Sequence, residues 1–316
     1  MNYQKIPGIS GRAERDCSER WEIIKGELPA EGVALDIGAA EGYFCKMIAE
    51  NTNLLAIAAE KHKGRVAYHR RWLRDRHLGK VVSCLAKFDT PFSARLAATP
   101  EFIDVTLALS VLHWINSDEL LKNIASMSGK VIVEIPDLAD TAATGQQFMR
   151  RLRQIGSEKK YFEDVTGRTV RKLGTIKAHT YPTRNIWVIE GDIFRKTHTP
   201  HINYGKTTGV TYRQVFDSVT GKLGYSRRGE EIEWIPGINL ASLAAMNIAW
   251  PQQSWWLERV TESIDKLDKD NIAGDLRIHN MIVAAGRLEW IDVGHHSHRM
   301  TIIEDIKKMI RGGGGV

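Results

Sequence analysis

The chain has 316 residues, of which 43% are hydrophobic and 26% are charged. That is enough material for two cores, because domains commonly run to about 100–200 residues. No apolar segment approaches the length of a membrane span, and the first residues lack a signal-peptide core, so we expect a cytoplasmic protein without transmembrane segments.

The charge balance and the cysteines give limited information about the partners and the cellular compartment of the protein. Lys and Arg number 44 against 38 Asp and Glu, which gives a formal net charge of +6. This excess suits a polyanionic partner or simply a solvated surface. The three cysteines, Cys17, Cys45 and Cys84, are odd in number and have no metal-site spacing. We therefore expect reduced thiols and no disulfide framework.

Short, branched, apolar runs alternate with longer amphipathic stretches through the first half of the chain. This alternation predicts an α/β fold, Rossmann-like and doubly wound, with a mostly parallel sheet and crossover helices. A polar helical segment follows at about 145–160, and then two runs that read as an antiparallel hairpin closing the sheet, with Pro182 in its loop. The predicted strands are VALDIG, LLAIAAE, VVSCLAKFD, FIDVTLALS, KVIVEIPD, TVRKLGTIK and NIWVIEGD.

Acids and glycines follow the ends of the first three predicted strands. Asp36, Gly38 and Gly42 give the spacing D-x-G-x-x-x-G, which differs from the G-x-G-x-x-G of dinucleotide binders. Glu41 stands where a bound phosphate would lie, so the turn suits a cationic ligand. Glu60 ends the second strand, where a carboxylate can accept both ribose hydroxyls, and Asp89 ends the third, where it can accept from an adenine amino group.

Residues 30–190 with these features resemble the class I S-adenosylmethionine-dependent methyltransferases. An ordinary tight turn in another α/β domain is the alternative. The resemblance implies S-adenosylmethionine as cofactor, and a cofactor site formed by Asp36, Gly38, Ala39, Glu41, Gly42, Tyr43, Glu60, Asp89 and Ser110.

The fourth predicted strand leads into SVLHWIN, and its end normally faces the reacting methyl group in this fold. Ser110, His113 and Trp114 are therefore candidates for the acceptor side. His113 could act as a catalytic base, because its ordinary pKa lies near neutrality. The alternative is a rim histidine packed beside Trp114. Ser110 stands where RNA ribose methyltransferases carry a catalytic aspartate, which disfavours an RNA substrate.

The second half contains the segment GDLRIHNMIVAAGRLEWIDVG. Asp275, Asn280 and Asp292 match in order and spacing a nucleophile-orienting aspartate and two magnesium ligands of phosphoryl transfer. Strand, turn and strand are expected between the two ligands. The segment resembles the catalytic and metal loops of kinase-like folds, which implies Mg²⁺ and ATP. The histidine or arginine that often precedes the aspartate in such folds is replaced by Gly274. Lys196, Lys206 and Lys222 are all candidates for the lysine that binds the nucleotide, and the sequence does not distinguish among them.

The order of the two modules resembles the bifunctional methyltransferase/kinases of the WbdD type, which terminate polymannose O-antigen chains. AERDCSERWEII, LSVLHWI and the predicted hairpin also look like counterparts in that family. In that family the kinase phosphorylates the terminal sugar and the methyltransferase caps the phosphate. The sequence becomes turn-rich from about residue 193, so we place a domain boundary there. We therefore expect a methyltransferase domain at 1–192 and a small, reduced or degenerate kinase-like α+β domain at 193–316.

Three hypotheses of different classes remain. The first is a bifunctional enzyme that phosphorylates and methylates the end of a saccharide or a similar hydroxyl or phosphate acceptor. The second is a nucleic-acid methyltransferase with a basic binding domain, which salt-sensitive binding to oligonucleotides would reveal. The third is a methyltransferase joined to a pseudokinase scaffold. The sequence does not identify the oligomeric state.

Two further stretches allow a functional and a structural interpretation. Residues 61–80 hold eight Lys or Arg and three His on a predicted helix, which suits a polyanion track or, more commonly, a solvated basic face. The terminal stretch MTIIEDIKKMIRG is amphipathic. We expect it to pack on the second domain rather than to make peripheral contact with a membrane.

Overall fold

The computed structural model describes most of the first 191 residues and selected elements of the remainder. The described residues are 2–69, 71–73, 77, 79–97, 103–115, 117–139, 147–177, 183–191, 211–217, 222–228, 238–239, 253–269 and 281–290. Within them, no helix is both long enough and apolar enough to cross a lipid bilayer.

Seven strands form the main sheet, in the order β5-β4-β3-β6-β7-β9-β8. The first five in chain order are mutually parallel, and β9 runs antiparallel to both of its neighbours. The predicted closing hairpin is thereby confirmed at one edge of the sheet. The strands are β3 (Glu31–Ile37), β4 (Asn53–Glu60), β5 (Val81–Leu85), β6 (Ile103–Leu109), β7 (Ser128–Pro136), β8 (Val170–Ile176) and β9 (Arg184–Glu190).

Helices cover both faces of this sheet, so the fold is the predicted doubly wound, Rossmann-like α/β architecture. The helices in this part of the chain are α1 (Ser18–Ile24), α2 (Tyr43–Asn51), α3 (Lys63–His69), α4 (Thr90–Ala97), α5 (Leu112–Ile115), α6 (Asp118–Met127), α7 (Gln147–Ile155) and α8 (Glu158–Thr166). A short 3₁₀ turn at Lys25–Glu27 follows α1.

The apolar runs become strands because each supplies side chains to two separate cores. In β3, Val33, Leu35 and Ile37 belong to one buried cluster, whereas Ala34 belongs to the other. A strand buried on both faces requires a nearly continuous apolar run, which is the pattern that the sequence shows. Burial of these central strands fixes the sheet edge at which the functional residues meet.

Three predicted elements differ from the structure by more than two residues or in their division. The third strand was expected over residues 81–89 but ends at Leu85. In the basic stretch the helix ends at His69, and later residues of that stretch turn inward. The helical segment expected at about 145–160 is two helices, α7 and α8. They separate at Gly156, whose φ is 74°, and Ser157 caps α8 by accepting from the Lys160 backbone N–H.

The first residues form a small parallel pair, β1 (Asn2–Gln4) and β2 (Ala13–Arg15). The backbone N–H of Lys5 continues the pairing by donating to the Arg15 carbonyl over 2.9 Å. Ile6 and Cys17 are buried in one of the two core clusters. We call residues 2–17 the N-terminal strap.

A second, antiparallel sheet of five strands lies in the later part of the chain, in the order β11-β10-β14-β13-β12. Its last hairpin turns at residues 285–286, which confirms the predicted strand, turn and strand. The Gly286 backbone N–H donates to the Gly79 carbonyl over 2.7 Å. The elements are β10 (Thr211–Asp217), β11 (Lys222–Arg228), β12 (Ile238–Asn239), α9 (Gln253–Lys269), β13 (Met281–Ala284) and β14 (Arg287–Trp290).

Several predictions fall outside the described residues. They include the boundary between residues 192 and 193, the terminal amphipathic stretch, and the three phosphoryl-transfer residues Asp275, Asn280 and Asp292. The domain division and the kinase roles therefore stay predictions.

Candidate functional site

A cleft of about 990 Å³ opens where β3, β4 and β6 end. The order of the strands reverses between β3 and β6, so this edge is a topological switch point. Open α/β sheets bind their ligands at such points, beyond the carboxyl ends of the strands. The cleft is therefore the candidate functional site.

The loop after β3 reaches the cleft through an unusual backbone conformation. Gly38, Ala40 and Gly42 all have positive φ, at 73°, 52° and 86°. A left-handed conformation costs an alanine about 1 kcal/mol, so contacts around Ala40 must hold it. At Gly42 a β-carbon would lie 2.6 Å from Trp72 Cζ2, so only glycine fits without displacing that ring. We call residues 38–42 the glycine loop.

Two inward-facing side chains of the basic stretch hold this loop. His69 is fully buried, and its Nε2 lies 2.8 Å from the Ala40 carbonyl. Because a carbonyl can only accept, Nε2 carries the proton. Burial lowers the pKa of His69, so the ring is neutral and Nδ1 accepts from the Ser83 hydroxyl at 2.8 Å. Trp72 Nε1 donates to the Glu41 carbonyl over 2.9 Å.

Glu60, at the end of β4, supports the loop from the other side. Its Oε2 accepts from the Ala40 backbone N–H and its Oε1 from the His62 backbone N–H, each over 2.9 Å. The carboxylate lines the cleft, although Glu60 is only 2% exposed. A carboxylate oxygen has two acceptor sites, so these bonds leave capacity for a ligand hydroxyl at each oxygen.

The side chain of Glu41, within the glycine loop, binds the N-terminal strap. Its two carboxylate oxygens accept from the backbone N–H groups of Tyr3 and Gln4 over 2.9 and 3.0 Å. Gln4 Oε1 accepts in turn from the Tyr43 backbone N–H at the start of α2. Direct contact of Glu41 with a cofactor stays a prediction, and the strap is the partner that the structure assigns to it.

Asp36 is enclosed within the fold one residue before the end of β3. Its Oδ2 lies 3.7 Å from Cys45 Sγ, and the side chain is 3% exposed. Burial, with a smaller contribution from the charge of Glu60, raises the pKa of Asp36 to about 7. The side chain does not line the cleft, so Asp36 would have to influence a cofactor through the glycine loop. Its cofactor role stays a prediction.

Asp89 lines the cleft from the segment after β5. Its Oδ1 accepts from the Phe92 backbone N–H over 3.0 Å and so caps α4, while Oδ2 lies 3.5 Å from Lys87 Nζ. Asp89 stands four residues beyond the strand end because β5 is shorter than expected.

Three arginines converge on one carboxylate at the opposite end of the cleft. Arg20 Nε donates to Glu134 Oε2 over 2.7 Å, and Arg15 Nη2 donates to Oε1 over 2.9 Å. Arg184 Nε lies 3.5 Å from Oε1. Glu134 is fully buried in β7, and the cluster is formed by the N-terminal strap, α1, β7 and β9. Three guanidinium groups thus face a single acid.

Ser110 joins this arginine cluster through a strained backbone. Its φ of 61° is left-handed, which is uncommon for a residue other than glycine, and such outliers often occur at functional sites. The hydroxyl donates to Glu134 Oε1 over 2.5 Å and accepts from Arg184 Nη1 over 3.2 Å. Ser110 therefore belongs to the arginine cluster, and its cofactor role stays a prediction.

His113 and Trp114 differ sharply in exposure. His113 is 2% exposed, and neither ring nitrogen has a hydrogen-bond partner among the described residues. Burial, followed by the positive charge of Arg184, lowers the pKa of His113 to about 3. Trp114 is 69% exposed at the rim of the cleft, with its ring centroid 5.2 Å from that of His113. The base role of His113 stays a prediction, and a pKa this low argues against it.

Among the described residues predicted for the site, Gly38, Glu60, Asp89, Ser110 and Trp114 line the cleft, whereas Asp36, Ala39, Glu41, Gly42, Tyr43 and His113 do not. The predictions missed the arginine cluster and the N-terminal strap. An acid inside the apolar run KVIVEIPD was the one available signal, because a buried glutamate requires a partner.

Comparisons with known proteins concern the fold. No family model matches the chain, and no curated protein matches it. A solved structure of the bifunctional kinase-methyltransferase WbdD aligns with 98% of this chain and 84% of its own, at 16% identity and a TM-score of 0.46. WbdD with the kinase inhibitor LY294002 gives 15% identity and a TM-score of 0.48 over the same shares.

Two further solved structures align with just over half of this chain. A putative S-adenosylmethionine-dependent methyltransferase from Listeria monocytogenes aligns over 56% of this chain and 100% of its own, at 13% identity and a TM-score of 0.41. The magnesium protoporphyrin IX methyltransferase of Synechocystis PCC 6803, with bound SAM, aligns over 54% and 76%, at 15% identity and a TM-score of 0.38. At these values the likenesses do not by themselves define an activity for this chain.

Proposed function

We propose that the chain is an S-adenosylmethionine-dependent methyltransferase whose acceptor is an anionic oxygen, most simply the phosphate of a phosphorylated saccharide end. One observation carries the proposal. The same cleft presents acids beside a glycine loop at one end and an excess of arginine at the other. A cationic nucleoside and an anionic acceptor would therefore fit opposite ends of the cleft.

The cofactor end fits S-adenosylmethionine in shape and charge. Gly38 and Ala40 of the glycine loop line the cleft, and so do the acidic residues Glu60 and Asp89. Carboxylates accept hydrogen bonds from ribose hydroxyls and from an adenine amino group, and they complement a positively charged ligand. When bound, this cofactor supplies a methyl group on a sulfonium, which is an excellent leaving group.

The acceptor end fits an oxyanion. The charges of Arg15, Arg20 and Arg184 exceed that of Glu134 by two. Excess positive charge in a largely buried cluster is unfavourable unless an anion balances it. Guanidinium groups bind phosphate and carboxylate through paired hydrogen bonds, so both the charge and the donors favour an acceptor of this chemistry.

An anionic acceptor would also make a strong catalytic base unnecessary. An oxyanion already carries the lone pair that attacks the methyl carbon, so no proton has to be removed. With a pKa of about 3, His113 is neutral at physiological pH and would be a weak proton acceptor. The remaining task for the protein is to hold the oxygen in line with the methyl group, and orientation alone can supply much of the catalysis.

The saccharide part of the proposal draws on the rim of the cleft. Trp114 presents a large exposed ring in the lining of the cleft, and such a ring can pack against the apolar face of a sugar. The free, buried thiols of Cys17, Cys45 and Cys84 suit a reducing compartment such as the cytoplasm.

The β13–β14 hairpin favours a second candidate function, phosphoryl transfer by the later part of the chain. This hairpin lies between Asn280 and Asp292, as the kinase-like motif requires. Phosphorylation of a sugar hydroxyl would generate the anionic acceptor that the first part methylates. Calorimetry with Mg-ATP tests this candidate. We expect binding by the wild type and its loss in Asp292→Asn, whereas equal heats in the two proteins would contradict it.

Mass spectrometry tests the methyltransferase proposal. The chain is incubated with S-adenosylmethionine carrying a deuterated methyl group and with monosaccharides, each with and without a phosphate. We expect the mass of one labelled methyl group on phosphorylated sugars only. Arg184→Met should lower the rate at least tenfold, because it removes one of the two excess positive charges that would bind the anion.

Arg171→Met is the matched control, because Arg171 is an exposed arginine that pairs with Glu27 and Glu190 and does not line the cleft. It should leave the rate unchanged. Methylation of the unphosphorylated sugars at an equal rate would contradict the proposed acceptor.

A further inference from the structure

Tyr3 stands between the two ends of the cleft and contacts charged groups belonging to each. Its ring centroid lies 5.5 Å from Arg15 Cζ and 5.3 Å from Arg65 Cζ. The Tyr3 hydroxyl accepts from Arg15 Nη1. Tyr3, Arg15 and Arg65 all line the cleft. The side chain therefore bridges the acceptor and cofactor ends.

Each arginine that Tyr3 contacts leads to one end. Arg65 lies 3.8 Å from Glu60 Oε2 and 3.9 Å from Glu41 Oε1, at the cofactor end. Arg15 donates to Glu134 over 2.9 Å, at the acceptor end. A continuous series of contacts thus runs from Glu60 through Arg65, Tyr3 and Arg15 to Glu134.

The backbone of Tyr3 is also attached to the glycine loop. Its N–H and that of Gln4 are the two donors to the buried carboxylate of Glu41. Glu41 lies between Ala40 and Gly42, which both have left-handed conformations. The position of Tyr3, and through its hydroxyl that of Arg15, consequently depends on the conformation of the glycine loop.

We propose that Tyr3 is a positioning residue that makes the binding of cofactor and of anionic acceptor cooperative. This inference rests on the proposed function. A ligand that contacts Gly38 and Ala40 restricts the glycine loop, and the same restriction holds Glu41, Tyr3 and Arg15 in place. The acceptor then binds to an arginine that is already ordered, so less conformational entropy is lost on binding. The two binding events are therefore positively coupled. Coupling between binding sites is reciprocal, so the acceptor must strengthen cofactor binding by the same factor.

Calorimetry of inorganic phosphate on the full chain, with and without saturating S-adenosylhomocysteine, tests the inference. In the wild type we expect the phosphate Kd to be about tenfold lower when S-adenosylhomocysteine is present, within the usual range of coupling between sites. Tyr3→Phe keeps the ring and removes the hydroxyl that binds Arg15. We expect this variant to bind S-adenosylhomocysteine alone as the wild type does and to show a coupling factor near one.

Glu41→Gln is the second variant, because it retains one acceptor oxygen and loses the other at the strap. It should reduce the coupling factor without abolishing phosphate binding. Tyr161→Phe is the control, since the Tyr161 hydroxyl donates to Asp118 and lies outside the cleft lining. It should keep the factor of the wild type.

The failures of the two proposals are distinguishable. Wild type that does not bind S-adenosylhomocysteine overturns the proposed function and the inference together. Wild type that binds both ligands with a coupling factor of one, or a Tyr3→Phe variant that keeps the full factor, overturns the inference alone.

Discussion

Arg20 and Glu134 form a buried ion pair at the acceptor end of the cleft, with Nε and Oε2 separated by 2.7 Å and side-chain exposures of 4% and 0%. The acid lies in a central strand and the arginine in the first helix, so the pair ties the start of the chain to the core of the sheet. Because Arg15 and Arg184 share the same carboxylate, Glu134 is the counter-ion of the whole cluster.

Glu134→Gln should destabilise the protein by about 3 kcal/mol, since it removes the carboxylate charge that three buried guanidinium groups share. Thermal melting measures this loss, and added phosphate should restore more stability to the variant than to the wild type. Glu190→Gln, which disrupts partly exposed ion pairs, should cost less than about 1 kcal/mol. Equal melting temperatures for Glu134→Gln and the wild type would contradict the role of Glu134 as the counter-ion of the cluster.

Gly42→Ala should weaken both folding and cofactor binding. Its φ of 86° is unfavourable for alanine, and the new methyl group would meet Trp72 at 2.6 Å. Gly167→Ala is a matched control, because its φ is 67° but nothing lies within 4 Å of the added carbon. The backbone conformation alone costs about 1–2 kcal/mol at either position. The control should therefore lower the melting temperature without changing the Kd for S-adenosylhomocysteine, whereas Gly42→Ala should change both.

Trp72→Phe should lower cofactor affinity through the loop. The substitution removes the Nε1–H that binds the Glu41 carbonyl and retains most of the buried ring. An unsatisfied buried carbonyl costs about 1–3 kcal/mol. We expect the Kd for S-adenosylhomocysteine to rise about tenfold in calorimetry, with little change in the maximal methyl-transfer rate. A reduced maximal rate with an unaltered Kd would show that the loop is held in another way.

Asp36 should make stability depend on pH. Its pKa rises from an ordinary 3.8 to about 7 in the folded protein, so the folded state keeps a proton that the unfolded state releases between these values. Stability from this group is complete below the lower value and is lost as the pH rises to the upper one. Asp36→Asn removes this dependence. The free energy of unfolding of the variant minus that of the wild type should therefore be about 2 kcal/mol larger at pH 7.5 than at pH 5, so that the variant is relatively more stable at the higher pH.

Denaturant unfolding of both proteins at the two pH values measures this difference, and the comparison cancels the titration of other groups. Any constant cost of the buried amide also cancels. A difference between the two proteins that does not vary with pH would mean that Asp36 is ionised in the folded state.

Local sequence pattern was sufficient for the main sheet. The strands β3, β4, β6 and β7 are branched apolar runs, and burial on both faces leaves them no other stable arrangement. The inward orientation of His69 and Trp72 was not predictable from the sequence. The residues around them are mostly basic, which is typical of an exposed helix face, whereas these two side chains are buried and bind the glycine loop.

The arginine cluster required tertiary information. Its members come from positions 15, 20, 110, 134 and 184, and no local spacing links them. The roles expected for Glu41 and Asp36 assumed that side chains next to a glycine turn face the ligand. In the structure Glu41 faces the N-terminal strap and Asp36 faces α2, because strand alternation and loop conformation decide direction.

A crystal structure of the chain soaked with S-adenosylhomocysteine tests the central claim most directly. The account predicts density for the ligand in the cleft beside Gly38, with its ribose hydroxyls within hydrogen-bond distance of Glu60 and its sulfur facing the arginine cluster. An empty cleft, or a ligand whose ribose lies away from Glu60, would contradict it.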